Sequence, residues 1–352
     1  MKVLFIANSD RHIKLCHIPY LKMFKDNNYI VHVATNTDCD FDYCDKKINL
    51  GLSRNPFSFK NISALIKLRK IIKKDNYDII SCHTPVGGFL GRCCIIRNKV
   101  NTKVFYTVHG FHFYKGSGLL SKLYYLIEKY LSKYTDCLIV MNDEDYIVAS
   151  RKFHCPVYKI NGIGYDDKRL LVKNKNLKNE LGLDNYFIVT YIAEVSKRKN
   201  QLKLIQELKK YDLEKEKIKI LLIGDSIIKG FEKKLNNNIM YIDFVNNVGD
   251  YLYMSDMIIS SSLQEGLPLG ILEAMCFKKR IIALNIRGNN DLLKDYPKGI
   301  MVSNIKELVR EIINNKDIED DNINYDISKY HINKVIKNVK KIYNYFLKEK
   351  LK

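Results

Sequence analysis

The sequence contains no run of about 18 or more apolar residues, which removes a membrane-spanning helix from consideration. Its start, MKVLFIANSD, lacks the longer apolar region and small-residue cleavage site of a signal peptide, so a cytoplasmic protein is expected. No C-x-x-C pair occurs among the 9 cysteines (Cys16, Cys39, Cys44, Cys82, Cys93, Cys94, Cys137, Cys155, Cys276). Their odd number and scatter argue against a disulfide framework or a zinc site and read as small buried hydrophobes. Internal repeats are absent too. So is any module that interleaves basic residues with exposed aromatics, and no nucleic-acid partner is expected.

What the chain has in excess is positive charge: Lys+Arg 59 against Asp+Glu 39, a net +20. That balance favours phosphate-bearing small molecules or an acidic membrane surface, although part of it belongs to lysine-rich solvated helix faces. At 352 residues, 46% of them hydrophobic, the chain fits two domains that each bury a core.

Short apolar runs at 2–7, 29–34, 78–82, 103–108, 137–141 and 157–160 alternate with helical spacing such as 62–74 and 119–134. After a polar, lysine-rich stretch beginning near Asn161–Gly162 the alternation restarts, at 186–192, 218–223, 239–242, 257–260, 280–284 and 299–302. The pattern predicts α/β architecture: two doubly wound, mostly parallel Rossmann-like domains, 1–163 and 164–330, with a basic helix over 331–352 that returns toward the first. In open α/β sheets ligands bind at the carboxyl ends of strands, so a cleft between facing domains is the expected site.

One stretch at such a strand end stands out: SSSLQEGLPLGILEAMC, residues 260–276. Gly266 permits a sharp turn, Pro268 suits a first helical turn, and Leu269, Leu272 and Cys276 would form the buried face. The free N–H groups of that helix start suit a diphosphate, and Glu273 suits vicinal hydroxyls such as those of a ribose. The plainer reading is a turn followed by a helix-surface carboxylate.

The pattern S-x-x-E-G-L-P-x-x-x-L-E-A-M resembles the E-x7-E motif of the retaining glycosyltransferases of family 4, which share the two-domain GT-B architecture. YTVHGFHF, AEVSKRKNQ and NGIGYDDKR carry the resemblance along nearly the whole chain, and HIPYL and HTPVGGFLGR are similar to stretches of capsular and exopolysaccharide enzymes. The resemblance implies that Glu273 binds the donor ribose and Glu265 the transferred sugar. Backbone amides at Gly266, Leu267, Leu269 and Gly270 would face the diphosphate, and Lys199 would neutralise it. Where many members carry an arginine before that lysine, this chain has Glu194, so Lys197 or Arg198 would supply the charge. Gly224 and Phe244 fall where the family holds the nucleotide base.

His109 follows a strand directly, and the resemblance places it at the reacting region; a lone histidine is also read as a structural hydrogen-bonder. Arg11 and His12 follow the first strand, where relatives often have a glycine-rich loop that this chain lacks. His83 ends another strand, with Gly87–Gly88 behind it allowing close helix packing. Asp143–Glu144–Asp145 is a D-x-D string, read here as a capped helix start rather than a metal site. Residues 119–134 either rest on an anionic bilayer or pack on the sheet with lysines reaching outward.

The resemblance implies a metal-independent hexosyltransferase-type enzyme with no cofactor, using a nucleoside-diphosphate sugar, UDP- or GDP-linked. The acceptor would be a saccharide on polyprenyl diphosphate, met at the inner face of the cell membrane. A nucleotide-sugar epimerase of the same architecture is the alternative.

Overall fold

The computed structural model describes all residues except 37–38, 54, 56–57, 97–100, 114–117, 319–322 and 348–352. The last five residues of the expected basic helix, and parts of the VATNTDCD and VHGFHFYKG stretches, lie outside the described residues. The chain divides into two units: Met1–Ile163 together with Asn333–Lys352, and Gly164–Ile332.

Unit 1 is built on seven strands, β1 (Lys2–Ile6), β2 (Ile30–Thr35), β3 (Lys46–Asn49), β4 (Ile79–His83), β5 (Lys103–Thr107), β6 (Cys137–Val140) and β7 (Val157–Lys159). Their order is β3-β2-β1-β4-β5-β6-β7, with every pairing parallel. Helices α1 (Asp10–Cys16), α2 (Ile18–Lys25), α3 (Lys60–Asp75), α4 (Pro85–Ile95), α5 (Leu120–Leu131) and α6 (Asp143–Lys152) make the crossovers. Strand β3 escaped the sequence pattern because its lysines are exposed and only Ile48 is buried.

The central strands are buried along nearly their whole length, as both faces of a covered parallel sheet require. Helix α4 approaches that sheet closely because its inward positions are glycine. A Cβ on Gly88 would lie 2.2 Å from the Tyr106 ring and one on Gly91 2.3 Å from the Cys82 sulfur. Alanine at either would force strand and helix apart, an overpacking that typically costs about 1–3 kcal/mol.

Unit 2 carries β8 (Phe187–Ile192), β9 (Ile218–Ile223), β10 (Ile239–Ile242), β11 (Met257–Ser260), β12 (Arg280–Leu284) and β13 (Gly299–Val302) in the parallel order β10-β9-β8-β11-β12-β13. Its helices are α7 (Asp167–Leu170), α8 (Leu177–Glu180), α9 (Gln201–Leu208), α10 (Gly249–Met254), α11 (Leu269–Cys276), α12 (Asn289–Leu293) and α13 (Ile305–Asn314). The final helix, α14 (Ile332–Leu347), lies mostly in unit 1. There Tyr343 is buried against Phe24 and stacks on Phe105 with ring centroids 4.1 Å apart.

In each sheet the strand order reverses once, between β1 and β4 and between β8 and β11. At such switch points the neighbouring loops diverge and leave room for a ligand at the strands' carboxyl ends. No helix among the described residues is long and apolar enough to cross a membrane.

Candidate functional site

In unit 2 the switch point is ringed by charge. The loop after β8 delivers Arg198 and Lys199, and the loop after β11 delivers Glu265. Lys199 Nζ donates to Glu265 Oε1 at 2.5 Å, and the Arg198 guanidinium donates to Glu265 Oε2 at 3.2 Å and to the Gln264 carbonyl at 2.8 Å. Buried hydroxyls hold this corner in place. Tyr191 and Ser261 both donate to the Lys199 carbonyl, at 3.0 and 2.8 Å, and Tyr191 also meets the Ser262 hydroxyl at 2.7 Å. Lys197 and Arg198 are both exposed, and it is Arg198 that pairs with Glu265 and sets a second positive charge beside it.

Burial alone would push the Glu265 carboxyl up, but the adjacent Lys199 and Arg198 outweigh it and hold it below the usual carboxylate range. Burial lowers Lys199 below its ordinary value, against the pull of Glu265. The pair is therefore an ionised salt bridge whose lysine is poorly hydrated.

Helix α11 starts beside this bridge. Pro268 is its N-cap rather than a first-turn residue, and the helix is buried on most sides. Ile271, Leu272, Ala274 and Met275 form its core contacts, whereas Leu269 and Cys276, expected there, are only half-buried. A Cβ on Gly270 would sit 2.9 Å from the Ile192 carbonyl, so only glycine lets the helix start come this close to the end of β8. Gly224 plays the same part at the end of β9, with φ +136° and a built Cβ 2.6 Å from the Ala193 carbonyl. Leu267 is half-buried, and the Phe244 N–H is engaged by its neighbour Asp243 at 2.8 Å.

Glu273 is not the helix-surface carboxylate of the plainer reading. It is 1% exposed, and Arg169 of α7, 104 residues earlier, donates to its Oε1 at 2.9 Å. Burial raises its pKa, and Arg169 only partly offsets that. Arg169 lies inside the NGIGYDDKR stretch, whose polar run reads as linker; its pairing is what the sequence left unseen.

Unit 1 gathers imidazoles instead. His12 and His17 follow β1, His83 ends β4, and His109 follows β5. His17 Nε2 and His12 Nε2 are 3.2 Å apart, the His12 and His109 rings meet edge-on at 4.4 Å, and the His17 and His83 rings lie 3.9 Å apart. His83 Nε2 bonds the Ser81 hydroxyl at 2.9 Å, which bonds the Tyr343 hydroxyl at 2.8 Å, tying α14 to β4.

Burial drives all four histidines toward the neutral form, lowering His12 to about 4 and the other three well below the ordinary value. Among the described residues, His17 Nδ1, His83 Nδ1, His109 Nε2 and the Tyr20 hydroxyl have no hydrogen-bond partner. His17, Tyr20 and His83 line a cavity of about 10 Å³, close to the room one water needs.

His12, His17 and His109 each bring one ring nitrogen within 4.8 Å of the others, a spacing that also suits a transition metal. The residues of the D-x-D string are engaged within unit 1. Asn142 caps α6, Asp145 accepts from the Phe111 N–H at 3.2 Å, and Asp143 pairs with Lys159. Arg11 lies in the first turn of the short helix α1, behind the Ser9 cap.

One backbone position here is strained. Thr84, between His83 and Pro85, has φ +63°, which a β-branched residue rarely adopts and which typically costs about 1–3 kcal/mol. The Asn8 N–H donates to its hydroxyl at 3.1 Å and helps to hold it.

Comparison with known proteins finds two family matches, one in each half of the chain. Residues 2–142 match the family described as "Glycosyl transferase 4-like" and residues 173–334 the one described as "Glycosyl transferases group 1". A putative glycosyltransferase, EpsD, of Bacillus subtilis (strain 168) is 35% identical over 319 residues, spanning 86% of this chain and 83% of its own. A UDP-Gal:alpha-D-GlcNAc-diphosphoundecaprenol alpha-1,3-galactosyltransferase of Escherichia coli is 29% identical, over 84% and 81%. The solved structure of Anabaena Alr3699/HepE in complex with UDP and glucose superposes with a TM-score of 0.71 at 17% identity, covering 96% of this chain and 94% of that one. The last likeness is one of fold.

Proposed function

The chain belongs to the glycosyltransferases of GT-B fold, and on that premise we propose that it is a retaining, metal-independent hexosyltransferase of family 4. It moves a sugar from a nucleoside-diphosphate donor, UDP- or GDP-linked, to a saccharide carried on polyprenyl diphosphate, in surface polysaccharide assembly. The observation that carries the reading is the Glu265–Lys199–Arg198 cluster at the unit 2 switch point, with its carboxylate buried and Arg198 reaching solvent. The matched relatives are transferases, which leaves the epimerase alternative without support.

In this reading the donor diphosphate meets Lys199, Arg198 and the start of α11, where positive charge stabilises the departing group. Glu273, held by Arg169, accepts the ribose hydroxyls, and Glu265 contacts the transferred sugar. Gly224 and Phe244 border the base. The acceptor lies at the carboxyl edge of unit 1 beside the half-buried His12 and His109, with His109 nearest the reaction. The bond from the anomeric carbon to the diphosphate oxygen breaks and a bond to the acceptor oxygen forms on the same face. The acceptor proton passes to the departing diphosphate. The protein supplies position and charge rather than a nucleophile.

A thermal-shift series with UDP, GDP and ADP tests the donor class, because a ligand that binds only the native state raises its melting temperature. One diphosphate should give a clear shift that Glu273→Ala and Lys199→Ala abolish. Absence of a shift with every nucleoside diphosphate and its sugars would overturn the reading.

A further inference from the structure

Helix α5 is held to unit 1 by few residues. Glu128 pairs with the buried Arg92 at 2.8 Å, Tyr125 packs edge-on to Phe113, and Leu131 is buried. The opposite face is apolar and uncovered: Leu119, Leu123, Leu126 and Tyr130, spaced three or four apart, are 85%, 42%, 59% and 51% exposed. Lys122, Lys129 and Lys133 run along one flank of that stripe. An isolated exposed leucine needs no explanation, but a helical stripe with a lysine border does.

Helix α3 repeats the arrangement. Asn61, Ala64, Leu68 and Ile72 face the sheet, while Phe59, Ile62 and Ile66 point outward, 87%, 55% and 52% exposed. The same helix bears Lys60, Lys67, Arg69, Lys70, Lys73 and Lys74, with Asp75 its only acid. Both helices pack against α4, so they lie on one side of the sheet and their outward faces point the same way.

The two stripes are also aligned end to end. Each helix runs back from the carboxyl edge of the sheet, so the starts of α3 and α5, where Phe59, Ile62, Leu119 and Leu123 sit, lie at that edge. His12, His83 and His109 occupy the same edge. Apart from Lys60 and Lys122, the lysines gather toward the far ends. Apolar side chains flanked by unopposed lysines complement an anionic bilayer, which takes the former among its acyl chains and the latter among its headgroups.

We propose that α3 and α5 together form a docking surface for an anionic lipid bilayer, seated with their starting ends deepest. The surface would bring the histidine-lined edge of unit 1 to the membrane, where a sugar on a lipid diphosphate is presented. The inference takes its lipid-linked acceptor from the reading above, but it is tested separately.

The protein should co-sediment with phosphatidylcholine vesicles containing phosphatidylglycerol and stay in the supernatant with phosphatidylcholine alone, with binding weakened by salt. Leu123→Asp with Leu126→Asp, and separately Ile62→Asp with Ile66→Asp, should each lower partitioning roughly tenfold or more. Because these positions are exposed, the melting temperature and its shift with nucleoside diphosphate should stay as in the wild type. A wild type that ignores anionic vesicles at low salt overturns the surface even if nucleotide binds; so do variants that sediment normally. Light scattering showing a wild-type dimer that the aspartates dissociate would also overturn it, assigning the face to a second copy. Vesicle binding without any nucleotide shift would leave the surface standing and remove the donor reading instead.

Discussion

The two switch points solve the same problem in opposite ways. In unit 1 burial is unopposed, and four imidazoles are driven toward the neutral form, three of them with a ring nitrogen unpartnered among the described residues. In unit 2 burial is contested. Glu265 has cations on both oxygens and stays ionised below the usual range, whereas Glu273 has only Arg169 and burial raises it. The number of opposite charges within reach, not depth, separates the three cases.

The sharpest break of that contrast is Lys199→Ala. Transfer should fall about 100-fold or more, because leaving-group charge loses its nearest partner. Initial rates, with circular dichroism as the folding control, measure this, and near-normal turnover would remove Lys199 from the site. Next in size is the stability of the two glutamates. Glu265→Gln leaves Lys199 buried without its anion and should destabilise by about 3 kcal/mol at neutral pH. Glu273→Gln should be neutral or stabilising, since it removes a carboxylate whose burial outweighs its pairing.

The pH dependence separates them by sign. Glu265, with its folded pKa depressed, contributes stability that is present above its unfolded pKa and is lost as pH falls. Glu273, with its folded pKa raised, makes the opposite contribution, and stability falls as pH rises through its titration. Thermal melts of both variants and the wild type across acid pH would read this. Parallel curves for the two variants would show that the contrast is wrong.

Arg169→Gln is the subtler change. With the cation that pairs it among the described residues gone, Glu273 titrates higher still, so the donor KM should rise about tenfold and improve with pH over a range displaced upward, while kcat changes little. A KM that rises equally at all pH values would make Arg169 merely structural. Smallest is the expected behaviour of His12. Its titration by NMR should centre near 4, and stability held by the neutral ring should be lost from the unfolded value near 6.5 down to that point. A midpoint at 6.5 would place the ring in water.

Strand and helix order were legible because apolar runs and helical spacing alternate so regularly, and the E-G-L-P turn marked the loop where Glu265 meets Lys199 and Arg198. What the sequence could not carry were pairings that only folding creates. Arg169 meets Glu273 across 104 residues, within a run that reads as polar linker. His17 sits in HIPYL with nothing local to distinguish it, and gains meaning only when β4 and β5 bring His83 and His109 beside it. The edge strand β3 and the apolar stripe of α3 were hidden by lysines, whose stems and charges blur both periodicities.

The hydrogen bond from Ser81 to Tyr343 has a consequence for how the protein is made. Unit 1 includes β1 yet needs a tyrosine from α14, on the far side of unit 2 in the chain, to complete the chain of bonds behind His83. Unit 2, continuous from Gly164 to Ile332, has all its residues earlier. Synthesis therefore finishes the charged half first, and the imidazole half waits, short of one packed helix, until all of unit 2 has been made.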